Sequence, residues 1–240
     1  MKRLSPSDIS LKKVSQEWDR LAETRSRQVR SGLDDSMTNV LAPAVLGLLS
    51  TSDTKSVLDI GCGTGWLTAR VARLAGHVVG VDMSTRSIEV AMRDSTLSNV
   101  EYVNCEFQQF ARTHRHTFTA AVANMTLMTV LPLESFVRAS ARVLKRGGHL
   151  VLTIGHPCFW PLYWRYARSP WFRYREEIVI QAPFKIGAER TRMVTTHIHR
   201  PIERYITVFQ HCGFQVTQLR ELTGKGFELP RFLAVKCRKS

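Results

Sequence analysis

A short run of small residues constrains the fold of this chain more than any other feature. Residues 61–65 read Gly-Cys-Gly-Thr-Gly, and they follow an apolar segment at residues 57–60 that predicts a buried strand. Glycine tolerates positive φ and lets a backbone approach other atoms closely, so this run predicts a tight turn. A second apolar segment, residues 77–81, ends at Asp82. A strand, a glycine turn and a carboxylate after the next strand are typical of a βαβ unit that binds a nucleoside through its ribose.

The spacing of the glycines distinguishes between classes of nucleotide ligand. A dinucleotide fingerprint has its third glycine three residues after the second, and Trp66 occupies that position here. Asp59, two residues before the turn, would repel a phosphate and suits a cation. Together with Asp82, this pattern resembles the class I S-adenosylmethionine-dependent methyltransferases, whose ligand carries an amino acid and a sulfonium instead of a pyrophosphate. The resemblance is close over residues 55–156, weaker over 200–238 and loose elsewhere.

Strands and helices alternate along the chain, which predicts a doubly wound α/β fold. The resemblance implies a seven-stranded, mostly parallel sheet with an antiparallel last strand. We expect residues 1–50 to form a helical cap, residues 51–156 and 200–240 the core, and residues 157–199 an inserted aromatic lid and hairpin. Helices are predicted at residues 18–30, 36–49, 133–145 and 201–212. Strands are predicted at residues 57–60, 77–81, 99–104, 118–124, 149–155, 214–222 and 231–237, and the hairpin at residues 177–182 and 191–199, linked by residues 185–187.

Composition narrows the classes of protein that this chain can belong to. Its 34 Lys and Arg against 20 Asp and Glu give a net charge of +14, which attracts nucleic acid, an acidic carrier protein or an anionic substrate. A solvated basic surface is the alternative, because the basic residues are spread over the whole chain. No apolar stretch reaches the roughly 18 to 20 residues of a membrane span. Five widely spaced cysteines fit neither a disulfide framework nor a zinc site, so we expect a cytoplasmic protein without a bound metal or membrane contact.

The cofactor site is expected where the carboxyl ends of four strands meet, because ligands of doubly wound sheets bind there. The resemblance implies S-adenosylmethionine as the cofactor. Asp82 is placed to accept hydrogen bonds from the ribose hydroxyls, and a helix N-cap is its alternative role. Glu106 takes the place of the family's usual aspartate at the adenine amino group, with a surface glutamate as the alternative. The candidate cofactor-binding residues are Asp59, Gly61, Gly63, Gly65, Asp82, Met83, Glu106, Phe107 and Asn124.

Methyl transfer from a sulfonium needs no protein nucleophile and no metal, so the protein chiefly positions the acceptor and removes its proton. His156 is the first candidate for the base, since its His-Pro-Cys-Phe run follows the central strand and is similar to a run in some small-molecule methyltransferases. A purely structural histidine is the alternative. His199 and His197, which alternate on one predicted strand, are the second choice. Cys158 is not expected to act as a nucleophile, although Pro157-Cys158 resembles a dipeptide of cytosine-C5 methyltransferases.

The aromatic residues of the insert predict an enclosed site for an apolar or aromatic acceptor. A structural cluster of aromatic rings is the alternative. Trp18 is expected to cover the site from the N-terminal helices, and the other candidate substrate residues are Trp160, Tyr163, Trp164 and His197.

The sequence therefore predicts an enzyme that methylates an oxygen or nitrogen of a small organic acceptor, in specialised-metabolite or quinone-like biosynthesis. We expect a monomer or a homodimer. The positive charge leaves an RNA methyltransferase as an alternative, and a protein that binds the cofactor without transferring its methyl group is a second.

Overall fold

The structure is a computed structural model that describes residues 1–186 and 189–240, so the predicted link at residues 185–187 lies partly outside the described residues. The strands are β1 (Lys2–Leu4), β2 (Ser56–Ile60), β3 (His77–Asp82), β4 (Val100–Asn104), β5 (Phe118–Asn124), β6 (Leu144–Gly155), β7 (Ile178–Ile186), β8 (Glu189–His199), β9 (Phe214–Leu222) and β10 (Phe232–Lys239). The helices are α1 (Leu11–Arg30), α2 (Ala42–Leu49), α3 (Thr68–Val71), α4 (Thr85–Asp94), α5 (Phe107–Thr113), α6 (Leu133–Val143), α7 (Trp160–Tyr163) and α8 (Ile202–His211). A π-helical segment, Ser36–Leu41, leads into α2, and short 3-10 turns lie at Pro6–Asp8 and Leu127–Thr129.

Seven strands form one sheet in the order β4-β3-β2-β5-β6-β10-β9. The first five are parallel, and β10 runs antiparallel to both of its neighbours. The strand order reverses between β2 and β5, which opens a crevice at their carboxyl ends. The predicted doubly wound fold is confirmed.

Apolar side chains cover both faces of this sheet. On one face, α5, α6 and α8 contribute Phe110, Phe136 and Phe209 to a buried cluster with the central strands. On the other face, α2 and the insert pack together, and Trp160 and Tyr166 belong to that cluster. Because both faces are buried, the central strands are apolar at nearly every position instead of alternating.

The N-terminus differs from the prediction that residues 1–50 are helical. Lys2–Leu4 forms β1, which pairs antiparallel with β7. Pro6 disfavours helical geometry at the residue before it, and β1 covers an edge of the hairpin that would otherwise be unpaired. The predicted start of the first long helix at residue 18 is also wrong. α1 begins at Leu11, where the Ser10 hydroxyl accepts a hydrogen bond from the Lys13 N–H.

The central strand is longer than predicted, and the helix before it is shorter. α6 ends at Val143, and β6 runs from Leu144 to Gly155, so the predicted helix at residues 133–145 extends too far. Gly147 and Gly148 lie inside β6. A Cβ on Gly148 would lie 2.9 Å from the carbonyl oxygens of Lys145 and Thr119. Gly148 therefore permits a close approach between backbones at the start of the strand, whereas Gly147 has a positive φ of 77°.

The insert contains a hairpin, β7 with β8, which β1 extends to a three-stranded antiparallel sheet. Its expected helical lid consists mainly of turns, with α7 as the one short helix between residues 157 and 177. The buried carboxylate of Glu17 ties α1 to the hairpin, because it accepts hydrogen bonds from the N–H and hydroxyl of Thr196 and from the Gln181 amide. None of the described helices combines the length and the apolar character that a bilayer crossing requires.

Candidate active site

A cavity of about 550 Å³ lies at the carboxyl ends of β2, β3 and β5. The glycine turn and these strand ends form one side of it, and α1, α7 and the hairpin form the other. Most of the sequence-predicted site residues meet here: Asp59, Gly61, Gly63, Asp82, Met83, Glu106, Phe107, Asn124, Trp18, Trp160, Trp164 and His197. Four predicted site residues are not among the described residues that line it: Gly65, His156, Tyr163 and His199.

The three glycines of the turn have positive φ values of 71°, 55° and 74°. A Cβ on Gly61 would lie 2.6 Å from the Thr126 hydroxyl, and one on Gly65 would collide with the Tyr102 hydroxyl. Gly63 differs, because a Cβ there would meet no atom of residues 1–186 and 189–240 within 4 Å. Gly61 and Gly65 therefore permit close packing, whereas Gly63 leaves open space beside the backbone that lines the cavity.

Asp82 ends β3 and holds the glycine turn in place. One carboxylate oxygen accepts the Gly63 N–H and the other accepts the Ser84 N–H, both at 2.8 Å. Burial raises the pKa of Asp82, and these hydrogen bonds oppose that rise. The N-cap of α4 is Ser84, whose hydroxyl accepts the Ser87 N–H. Asp82 is thus not the N-cap, and its carboxylate borders the cavity.

Asp59 is a buried carboxylate beside the turn, only 1% exposed. It accepts a hydrogen bond from the Thr68 hydroxyl at 2.7 Å. Burial raises its pKa to about 6, and the negative charge of Asp82 adds to the rise. Two neighbouring carboxylates therefore make this end of the cavity favourable for a cation.

The ends of β4 and β5 supply the rest of this side of the cavity. Glu106 occupies the N-cap position of α5, but its carboxylate makes no capping hydrogen bond. Phe107 both lines the cavity and packs on Phe136, with ring centroids 4.9 Å apart. The Asn124 side-chain oxygen accepts a hydrogen bond from Thr153 at 2.7 Å, which orients the amide at the end of β5.

Aromatic rings form the opposite side of the cavity. Trp160 and Trp164 stack with ring centroids 5.5 Å apart, and Trp18 contacts Phe184 edge-on at 6.1 Å. Tyr163 does not join them, because its hydroxyl donates to the Leu229 carbonyl at 2.6 Å. The cavity thus has a carboxylate-rich end and an aromatic end.

His197 stands at the aromatic end, on β8. It is only 4% exposed, and neither ring nitrogen has a hydrogen-bond partner among the described residues. Burial lowers its pKa to about 3, and the charge of His199 contributes to the lowering. The ring is therefore neutral at pH 7 and retains one nitrogen that can accept a hydrogen bond.

His156 is held in a different environment. Its Nδ1 accepts the Cys158 N–H at 3.2 Å, and its Nε2 lies 2.9 Å from a carboxylate oxygen of Glu221. Because Nδ1 is an acceptor, Nε2 is the nitrogen that donates a hydrogen bond to Glu221. Both nitrogens are occupied, as expected of a histidine that orients the chain after β6.

His199 and Cys158 lie close to Tyr174 instead of the cavity. His199 Nε2 is 2.9 Å from the Tyr174 carbonyl oxygen, and burial lowers its pKa. The exposed Cys158 sulfur lies 3.4 Å from the Tyr174 hydroxyl. Residues 1–186 and 189–240 contain no group of three or more His, Cys, Asp and Glu side chains that could hold a metal ion.

The sequence did not single out several residues that line the aromatic end. Thr195 shares a strand face with His197, and the period-two alternation of β8 could have identified it. Met37, Met128 and Arg231 also line the cavity. No motif marks them, because their positions depend on how distant segments pack together.

The chain is similar in sequence and in structure to known methyltransferases. A family model described as a methyltransferase domain matches residues 58–152. The chain is 32% identical over 231 residues to the demethylmenaquinone methyltransferase of Tropheryma whipplei, a match that covers 92% of this chain and 88% of that protein. It is 33% identical over 102 residues to the mitochondrial ubiquinone biosynthesis O-methyltransferase of Homo sapiens, covering 40% of this chain and 28% of that protein's length. The crystal structure of an S-adenosylmethionine-dependent methyltransferase from Mesorhizobium loti matches with a TM-score of 0.62 at 19% identity, covering 82% of this chain and 96% of that chain.

Proposed function

Because the chain belongs to the class I S-adenosylmethionine-dependent methyltransferases, we propose that it methylates a hydroxyl oxygen of a small, quinone-type aromatic acceptor. One observation carries the proposal: the buried imidazole of His197, which has no hydrogen-bond partner among the described residues, lines the same cavity as Asp82 and the glycine turn. Two relatives, named as a ubiquinone biosynthesis O-methyltransferase and a demethylmenaquinone methyltransferase, support an acceptor of this type.

The cofactor of this family is S-adenosylmethionine, and the residues at the carboxylate-rich end fit it. Each oxygen of Asp82 accepts one backbone N–H and retains capacity to accept a ribose hydroxyl. The open space at Gly63 lets a ligand approach the backbone. The strand ends that line the cavity carry Asp59, Asp82 and Glu106 but no Lys or Arg, which suits a sulfonium and an ammonium better than a pyrophosphate.

Each residue at this end has a role in the proposal. Asp82 would accept hydrogen bonds from the ribose hydroxyls, and Glu106 would accept one from the adenine amino group. Met83 and Phe107 pack against the adenine ring. When bound, the cofactor supplies an electrophilic methyl group on its sulfonium.

His197 acts on the acceptor. Its neutral imidazole accepts a hydrogen bond from the acceptor hydroxyl and takes the hydroxyl proton as the oxygen is methylated. Trp160 and Trp164 confine the acceptor ring against the methyl donor, which lowers the entropic cost of the reaction. In this proposal His156 and His199 support the site without touching the acceptor, because neither is among the described residues that line the cavity, and both nitrogens of His156 and Nε2 of His199 are bonded elsewhere.

The parts of the chain divide these tasks. We propose that residues 51–156 and 200–240 hold the cofactor, and that residues 1–50 and 157–199 supply most of the enclosure of the acceptor. We also propose a cytoplasmic location, because all five cysteines are free in the structure, as they would be in a reducing compartment.

The proposal is tested by incubating the protein with S-adenosylmethionine and either 1,2-dihydroxybenzene or aniline, with mass spectrometry of the products. We expect S-adenosylhomocysteine and a methyl ether from the diol. His197→Phe should lower turnover by about 10²-fold or more, while the Kd for S-adenosylhomocysteine changes less than twofold. The exposed His211 provides the matched control, His211→Phe. Methylation of aniline alone, or full turnover by His197→Phe, would contradict the proposal.

A further inference from the structure

Arg231 lines the aromatic end of the cavity, immediately before β10. Its guanidinium carbon lies 4.4 Å from the ring centroid of Phe227, 5.3 Å from that of Phe232 and 5.6 Å from that of Trp160. The Nε atom is buried and has no hydrogen-bond partner among the described residues. Nη1 reaches the Ser36 hydroxyl only at 3.5 Å. Most of the donor capacity of this side chain is therefore unused.

Arg231 has no carboxylate within ion-pair distance in the part of the chain that the structure describes. Asp34 is the carboxylate whose charge most affects it, yet Asp34 pairs with Arg25 at 2.8 Å and accepts the Met37 N–H at 3.0 Å. By contrast, the fully buried Arg200 pairs with Glu177 and donates to two carbonyl oxygens. Arg231 thus differs from Arg25 and Arg200, each of which has a carboxylate partner.

A guanidinium in this position is costly unless a ligand pairs with it. Removing a cation from water without a counter-ion destabilises the fold, and the faces of three aromatic rings compensate for only part of that cost. The guanidinium presents N–H groups in a planar fork that matches a carboxylate. A carboxylate on the bound acceptor would neutralise the Arg231 guanidinium and accept hydrogen bonds from its free N–H groups.

A series of aromatic contacts connects Arg231 with His197. Arg231 lies over Trp160, Trp160 stacks on Trp164, and the ring of Trp164 contacts His197 edge-on with centroids 4.8 Å apart. Arg231 and His197 also line the same cavity, so an acceptor that fills it can present a hydroxyl to the imidazole and an anionic group to the guanidinium.

We propose that the acceptor is an aromatic hydroxy acid. Arg231 binds its carboxylate, and His197 accepts a hydrogen bond from its hydroxyl. This inference rests on the proposed function and names the substrate class. The carboxylate is unchanged in the reaction: the carbon–sulfur bond to the methyl group breaks, an oxygen–carbon bond forms, and the hydroxyl proton passes to His197.

The test is calorimetric binding of 3,4-dihydroxybenzoate and of its methyl ester to the protein saturated with S-adenosylhomocysteine. The wild type should bind the acid about 10- to 100-fold more tightly than the ester, the range expected for a charge-assisted hydrogen-bonded pair. Arg231→Met keeps the apolar stem and should bind both compounds equally within about threefold. The exposed Arg220 gives the control variant, Arg220→Met, which should keep the preference.

Equal affinity of the wild type for acid and ester, or an unchanged preference in Arg231→Met, would overturn the inference. If Arg231→Met no longer binds S-adenosylhomocysteine, Arg231→Lys takes its place, and it should retain a preference for the acid that is weaker than that of the wild type. Methylation of 1,2-dihydroxybenzene without any preference for the acid would refute this inference alone. A preference for the acid without methylation of any hydroxyl would refute the proposed function.

Discussion

Asp82 links the glycine turn to the cavity, because its two oxygens accept N–H groups from Gly63 and Ser84 while the carboxylate borders the space beyond them. A neutral amide of the same shape can satisfy only one of these N–H groups with its oxygen. Its NH₂ group would face the other donor. The charge and the geometry of the site therefore depend on the same side chain.

Asp82→Asn should raise the Kd for S-adenosylhomocysteine by about 10- to 100-fold, because charge-assisted hydrogen bonds to the ribose are lost. The free energy of unfolding should fall by only about 1 to 2 kcal/mol. Calorimetric titration and urea unfolding measure the two effects. The exposed Asp53 gives the control, Asp53→Asn, which should leave the Kd unchanged. A Kd for Asp82→Asn within threefold of the wild type would exclude the ribose role.

His197 gives the protein a pH-dependent stability. Its pKa is lowered from 6.5 to about 3 in the folded chain. Between these values the unfolded chain binds a proton that the folded chain does not. The free energy of unfolding is therefore greatest above pH 6.5, and it decreases as the pH falls towards 3.

Replacing His197 with asparagine should remove this part of the pH dependence. Between pH 7 and pH 5, the wild type should lose about 2 kcal/mol more unfolding free energy than His197→Asn, at about 1.4 kcal/mol per pH unit below the unfolded pKa. Urea unfolding at both pH values measures the difference. His211→Asn should behave as the wild type does. Equal losses in His197→Asn and the wild type would show that folding does not lower the pKa of His197.

At the scale of secondary structure elements, Arg200 joins the hairpin to the segment after β5. It is 1% exposed and follows the last residue of β8. Its guanidinium donates to the carbonyls of Leu127 and Val130, at 2.9 Å and 2.5 Å, and pairs with Glu177. Since residues 125–130 contribute to the cavity wall, Arg200 couples the position of the insert to the shape of the site.

Arg200→Met should reduce the free energy of unfolding by about 3 kcal/mol, because two buried carbonyls and a carboxylate lose their partner. It should also weaken S-adenosylhomocysteine binding through the displaced segment. Arg204→Met is the matched control, since Arg204 pairs with Glu134 and Glu177 but is 38% exposed. We expect a loss below about 1 kcal/mol there. Equal losses in the two variants, measured by urea unfolding, would show that Arg200 does not act as this anchor.

For the whole molecule, the arrangement of the large sheet could be predicted because its signals are local. An apolar run, a glycine turn and a strand-terminal carboxylate lie close together in sequence, and the position of the site follows from the parallel topology. β1 could not be predicted, because three residues carry no distinctive pattern and Lys2 pairs with the distant Gln181. Pairing between distant segments is absent from any local window.

The site could be predicted only in part for the same reason. The residues of the turn and the strand ends were identifiable because their backbone positions place them at the cavity. The three histidines could not be ranked. His156 differs from His197 through a contact with Glu221 on β9, and His199 through one with the Tyr174 carbonyl. Such contacts arise from tertiary packing, which local sequence patterns do not encode.

The net charge of +14 predicts how the stability of the whole protein responds to salt. Repulsion among the unpaired cations destabilises the compact state, and salt screens it. Salt also weakens exposed ion pairs such as those of Glu23 with Arg86 and Arg93 between α1 and α4, but exposed pairs of this kind contribute little to stability. Raising NaCl from 10 to 150 mM should therefore raise the Tm by about 2 to 4 °C, which corresponds to about 1 kcal/mol for a chain of this size. Circular dichroism melts measure the shift, and Glu23→Gln, which adds one net positive charge, should enlarge it. A Tm that falls with added salt would mean that attraction within the ion pairs outweighs the repulsion.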